Sequence, residues 1–72
     1  MLRFDPKALH HALDEQRRAR GLTWAAVAQE IGVSPGTLTR TARGGRMESD
    51  GMLAICRWLG RPAESFVRET DA

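Results

Sequence analysis

The sequence predicts an all-α fold, a compact bundle of about five short helices. Three observations predict it. Apolar residues recur at spacings of three and four rather than two. Helix-starting residues stand before the first three helices: Asp5-Pro6, Thr23 and Ser34-Pro35. Glycines follow the stripes, at Gly21, Gly32, Gly44-Gly45 and Gly60. β-Branched residues never cluster, and no segment alternates apolar and polar residues for long.

The first helix spans about 6–20. Asp5 caps it, Pro6 starts it, and Leu9, Ala12, Leu13 and Gln16 form its inner stripe. Arg17, Arg18 and Arg20 fall in the last turn, where cations suit the helix dipole. Thr23 caps the second helix, and Leu22 staples onto Val27. Trp24, Val27, Ala28 and Ile31 make one apolar stripe before Gly32 ends the helix. Only Val33 then intervenes before Ser34-Pro35 opens a third helix over about 35–42. Leu38, Thr41 and Ala42 face one way on it. Gly36, Arg40 and Arg43 face the other, with Thr37 and Thr39 on the flanks. A polar loop runs through Arg46, Glu48 and Ser49. The fourth helix, about 50–59, carries Met52, Ile55, Cys56 and Leu59 inward. Pro62 opens a last short helix bearing Phe66 and Val67, and the tail 69–72 frays.

Composition bounds the function. The chain has 72 residues, enough for one domain with its core over about 6–68. A chain this short buries only about 60–65% of its unfolded surface, so a deep catalytic cavity or an effector pocket is hard to fit. Hydrophobic residues make up 42% and charged residues 28%, the balance of a soluble globular domain. A lone cysteine, Cys56, excludes an internal disulfide and fits a reducing, cytoplasmic setting. The longest apolar run, Met52 to Cys56, falls far short of the roughly 20 residues that span a bilayer. Residues 1–5 have no signal-peptide character.

Charge is distributed unevenly. Residues 16–46 carry six arginines against Glu30 alone, a net +5, whereas 1–15 and 47–72 are mildly acidic. A basic block made of arginine suits a phosphate-bearing partner. The second and third helices, joined by a very tight turn, have the layout of a helix-turn-helix, whose second helix enters the DNA major groove. Arg40, mid-helix and outward, is placed to fork onto guanine O6 and N7. Thr37 and Thr39 can donate to phosphate or touch a thymine methyl. The backbone N–H groups of Gly36 and Thr37 sit at a helix start, an anion site. Arg43 and Arg46 leave the helix end where the phosphate ribbon passes.

The run Leu22-Thr23-Trp24-Ala25-Ala26-Val27-Ala28-Gln29-Glu30-Ile31-Gly32-Val33-Ser34-Pro35-Gly36-Thr37-Leu38-Thr39-Arg40 resembles the helix-turn-helix of the phage repressor and Cro (XRE-type) DNA-binding domains. Arg17 to Gly21 resembles that family's first-helix ending, and Arg43-Gly44-Gly45-Arg46 the segment after its recognition helix. Ile55 to Gly60 resembles its fourth helix and Pro62 to Phe66 its fifth. The resemblance covers nearly all of 9–68. It implies a lambda repressor-like five-helix bundle that binds operator DNA, often as a dimer. It implies base reading from Pro35, Gly36 and Arg40, and backbone contacts from Arg17, Trp24, Thr37 and Arg43.

Thr39 joins the base-reading set, and Thr23, Ser34 and Arg46 the backbone set. The sequence departs from the family pattern in four places. Trp24 replaces a phosphate-binding glutamine. Pro35 and Gly36 replace long polar base readers. Thr41 occupies a bulky apolar core site. Ala42 replaces an acid that pairs with the first-helix arginine, which leaves Arg17 free to meet phosphate.

The remaining residues read as structural. His10 and His11 are adjacent, point about 100° apart on a helix, and do not converge on a metal. Cys56 lies on a core stripe. Glu30 pairs with a nearby arginine, and Trp58 covers the core edge or a dimer contact. The reading that results is a sequence-specific transcriptional regulator bound to double-stranded DNA, as a homodimer on a palindromic operator. Its self-contact lies in the fourth helix, the fifth helix or the tail, through Met52, Trp58, Phe66 and Val67. It needs no cofactor, metal or small-molecule ligand and lacks the acid–base groups of an enzyme. The alternative is a protein-interaction module of the same fold, antitoxin-like or coactivator-like.

Overall fold

Four α-helices and a short two-stranded ribbon make up the described residues, 2–44 and 48–69, of the computed structural model. The helices are α1 (Pro6–Arg20), α2 (Trp24–Ile31), α3 (Pro35–Arg43) and α4 (Ser49–Leu59). The ribbon pairs β1 (Leu2–Phe4) with β2 (Val67–Glu69).

Local chemistry sets the helix limits. The Asp5 carboxylate accepts from the Ala8 N–H at 3.2 Å, and the Thr23 hydroxyl from the Ala26 N–H at 3.1 Å. Ser34 has the extended backbone of a cap, but its side chain makes no cap bond; its Oγ meets Thr37 Oγ1 at 3.1 Å. Proline at the first position of α3 has no N–H to satisfy, so that end needs less capping. Gly32 ends α2 at φ 89°, a left-handed turn that a β-carbon disfavours.

The last helix of the sequence reading is a single 3-10 turn, Ala63–Phe66, and Val67 leaves it to enter β2. Pro62 and Phe66 bound too few residues for a full α-turn pattern. The ribbon is antiparallel, with Leu2 opposite Glu69, Arg3 opposite Arg68 and Phe4 opposite Val67. The Asp5 N–H donates to the Phe66 carbonyl at 2.6 Å and anchors the junction. Glu69, expected in a frayed tail, thus belongs to a strand; 70–72 lie outside the described residues. Strands of three residues are too short to reveal alternation.

The core draws on every helix. Leu9, Ala12 and Leu13 of α1, Val27 and Ala28 of α2, Leu38 of α3, Ile55 and Cys56 of α4, and Phe66 are buried together. Burial pushes the Cys56 thiol up, so it stays protonated and packs as an apolar group. Thr41 is 0% exposed where a bulky apolar residue was expected. Its hydroxyl donates to the Leu38 carbonyl at 2.6 Å and meets His10 Nδ1 at 2.9 Å, so no polar atom is stranded. Ala42, expected to face inward, is exposed, because Leu38 and Thr41 alone turn the inner edge of α3 into the core. No helix among the described residues is long and apolar enough to cross a membrane.

Two glycines separate packing from backbone geometry. A β-carbon at Gly51, in the first turn of α4, would meet only the Thr37 methyl at 3.6 Å, an ordinary contact. Gly51→Ala is expected to stabilise the fold by about 0.5–1 kcal/mol. Gly32→Ala, in the left-handed position, is expected to destabilise it by about 1–2 kcal/mol. Urea unfolding of the two variants checks the contrast, and equal shifts would contradict it.

Candidate nucleic-acid interface

The tight connection between α2 and α3 is built on one carbonyl. The Gly32 and Val33 N–H groups both donate to the Ala28 oxygen, at 2.9 and 3.1 Å. The chain then turns through Ser34 straight into α3. Leu38 and Thr41 hold α3 from below, which leaves Pro35, Gly36, Thr39, Arg40, Ala42 and Arg43 exposed on its outer surface. The base-reading set of the sequence reading (Pro35, Gly36, Thr39 and Arg40) therefore shares one solvent-facing helix.

The arginine block divides in two. Arg17 donates to Asp14 at 2.8 Å and to the Leu22 carbonyl at 3.0 Å, with its guanidinium 4.9 Å from the centre of the Trp24 ring. Arg18 reaches the same Asp14 at 3.1 Å. Arg20 pairs with Glu30 at 2.8 Å, as expected of that lone acid, and Glu30 also accepts from the Trp58 indole at 3.1 Å. Arg40 and Arg43, by contrast, form no ion pair among the described residues. Cations left without protein partners on the outer helix are those available to an external anion.

This corrects the expectation for Arg17. Loss of an acid at position 42 does not free it, because Asp14, three residues back on its own helix, takes that place. Other positions differ in detail. Thr37 is half-buried, and its N–H donates to the Ser34 carbonyl at 3.0 Å, so that N–H of the anticipated anion site is engaged. The Thr39 hydroxyl donates to the Pro35 carbonyl at 3.2 Å. Thr23 is exposed and occupied as a cap. Trp24 is half-buried, stacked on His10 with ring centres 5.0 Å apart and planes at 17°. Arg46 lies outside the described residues.

The fold adds residues that the sequence reading passed over. Lys7 is exposed, and its aliphatic stem crosses the end of α3; a β-carbon at Gly44 would stand 3.2 Å from Lys7 Cε. The missing side chain at Gly44 makes room for that stem beside Arg43. Lys7, His10, Asp14 and Arg17 form a polar stripe along α1 at helical spacing. That spacing, with Arg17 already on it, is the signal that could have found Lys7 and His10. His10 also borders a notch of about 210 Å³, shared with Trp24, Pro35, Leu38, Thr39 and Ala42.

A projecting helix with exposed cations, braced by a second helix across a tight turn, is the scaffold of a DNA-binding regulator. Residues 13–54 match the model of the Helix-turn-helix family, and the chain belongs to that family, in its XRE-type, Cro/repressor-like form. No curated protein and no solved structure matches the chain.

The two acids that organise the basic block titrate low. The Arg17 hydrogen bond holds the Asp14 carboxyl below its ordinary value, against partial desolvation, with Arg18 and His10 adding to the effect. The Trp58 indole and then Arg20 do the same for Glu30. Each therefore contributes stability that is present above the ordinary carboxylate range and lost as pH falls below it. Asp14→Asn and Glu30→Gln are each expected to flatten the acid side of the stability profile. Urea midpoints measured across that range check this, and an unchanged acid limb would show that other carboxylates control it.

Proposed function

We propose that the protein is a sequence-specific regulator of transcription that lays α3 in the major groove of double-stranded DNA. The observation that carries this reading is the contrast within the arginine block. Asp14 and Glu30 hold Arg17, Arg18 and Arg20, while Arg40 and Arg43 stand exposed on α3 with no acid paired to them among the described residues. Arg40 forks onto guanine O6 and N7. Pro35, Gly36 and Thr39 lie against neighbouring base edges by shape and apolar contact. Thr23, Trp24, Ser34, Thr37, Arg43 and Arg46 face the sugar-phosphate backbone. Arg17, already fixed by Asp14, Leu22 and Trp24, meets phosphate with little entropy left to lose. Lys7 extends this basic rim past the end of α3.

The operator is a palindrome read by a homodimer. Of the apolar residues considered for self-contact, Phe66 is unsuitable because only 3% of it is exposed. A better surface lies between α2 and α4, a groove of about 500 Å³ lined by Glu30, Ile31, Leu53, Ala54, Arg57 and Trp58. Leu53, at its rim, is 57% exposed. An acid and a base on one rim can pair reciprocally across a two-fold axis, Arg57 with Glu30 of the second copy.

Selection from randomised duplex DNA at near-physiological salt tests the reading. Enrichment of a short palindrome is expected. Absence of enrichment, with binding that vanishes as salt rises, would overturn it and favour a protein partner docked on the Leu53 groove. On the enriched site, Arg40→Ala should weaken binding by about 1–3 kcal/mol and relax one base position. Arg43→Ala and Lys7→Gln should weaken all duplexes alike, each lowering the salt slope by about 1. Equal losses from Arg40→Ala on operator and random DNA would reduce Arg40 to a phosphate contact. Leu53→Glu is expected to give monomers in sedimentation and to weaken the palindrome far more than a half-site. A dimer that survives this change would place the self-contact elsewhere.

A further inference from the structure

We infer that His10 is a phosphate contact that binds DNA in its doubly protonated form, an inference that rests on the DNA-binding reading above. Thr41 has one hydroxyl proton and donates it to the Leu38 carbonyl at 2.6 Å. Its oxygen can then only accept from His10, 2.9 Å away, so Nδ1 of His10 carries a proton. In a neutral imidazole that leaves Nε2 as a bare lone pair. Nε2 is the ring nitrogen not engaged with buried Thr41, and His10 lines the notch shared with Trp24, Pro35, Leu38, Thr39 and Ala42.

Trp24, Pro35 and Thr39 belong to the surface that meets DNA in the proposed complex. A lone pair there repels a phosphate oxygen. A second proton turns the same atom into a charged donor. The stack on Trp24 holds the ring plane, with centres 5.0 Å apart, and a half-turn within that plane would keep the stack but lose the Thr41 bond. The charged neighbours are few. Lys7 stands one turn before His10 on α1, and Asp14 one turn after it. The Asp14 carboxylate is shared by Arg17 and Arg18. Arg17 lies against Trp24, α2 presents Trp24 to the ring, and α3 presents Leu38, Thr41 and Thr39, with Arg43 exposed at its end.

The sign follows from linkage. A bound phosphate favours the charged ring, so DNA binding takes up a proton and tightens as pH falls. The test is duplex affinity between about pH 8 and about pH 5.5, the span in which imidazoles titrate. The enriched site and a scrambled duplex serve as probes, and circular dichroism at each pH confirms the fold. The parent protein should bind both duplexes more tightly toward low pH, by at most about tenfold per pH unit. His10→Gln should flatten that rise. His11→Gln, whose imidazole pairs with Glu15 at 2.6 Å on an exposed stretch of α1, should keep it.

Thr41→Val removes the acceptor and lets a neutral ring move its proton to Nε2. It should bind more tightly near pH 8 and respond less to acid. A parallel rise in the parent and in His10→Gln would overturn the inference, and so would a flat parent profile; the DNA reading survives both. A parent that binds neither duplex at any pH overturns that reading together with this one.

Discussion

Everything on the outer surface depends on how little of α3 is buried. A nine-residue helix that must present most of its circumference to solvent can spend only a narrow edge on the core. Leu38 and Thr41 are that edge, 2% and 0% exposed. Neither is replaceable by bulk alone. Leu38 packs among Leu9, Leu13, Val27 and Ile55, while Thr41 is fixed by a hydroxyl bonded on both sides. The contact with His10 favours one rotation of α3, since a turned helix would lose it, whereas the Leu38 bond lies within α3 and turns with it. The direction in which Arg40 points is thus set from underneath.

A second layer of control is electrostatic. The Asp14 and Glu30 side chains are 26% and 37% exposed, and ion pairs open to solvent contribute little to stability. Their effect lies in assignment. Asp14 offsets the charge of Arg17 and Arg18 and holds Arg17 in place, and Glu30 offsets Arg20 and ties α2 to α1 and α4 through Arg20 and Trp58. The positive field is thereby concentrated at the α3 end, where Arg40, Arg43 and Lys7 stand.

Much of this was legible in the sequence. The caps at Asp5 and Thr23, the glycine stops and the inner stripes of α1, α2 and α4 follow from short-range rules that hold wherever the chain is. The exposed arginines of α3 and the Glu30 partner followed from the same periodicity. What was not legible depends on contacts distant along the chain. Thr41 looked like a defect because its partner, His10, is thirty-one residues away. Arg17 looks free in the sequence because position 42 carries no acid, whereas its partner Asp14 lies one turn back on its own helix. Lys7 looked remote from the basic block until α1 crossed the end of α3. The ribbon is not legible because three residues per strand show no period, and the burial of Phe66 comes from packing in a core that residues of all four helices share.

The ribbon has a consequence of its own. Its register sets Arg3 directly across from Arg68, and like charges at facing positions repel. Asp5 offers Arg68 only a distant counter-charge, at 3.9 Å. The pairing also closes a loop of nearly the whole chain, an entropic penalty that the helices, packed along short separations, do not carry to the same degree. The ends are therefore the first part to open. Dissolved ions act on them in the opposite sense to their action on a nucleic-acid complex. Added salt screens the arginine pair and knits the termini together while it strips cations from phosphate. The free protein should be most firmly closed under the conditions in which it holds its ligand least.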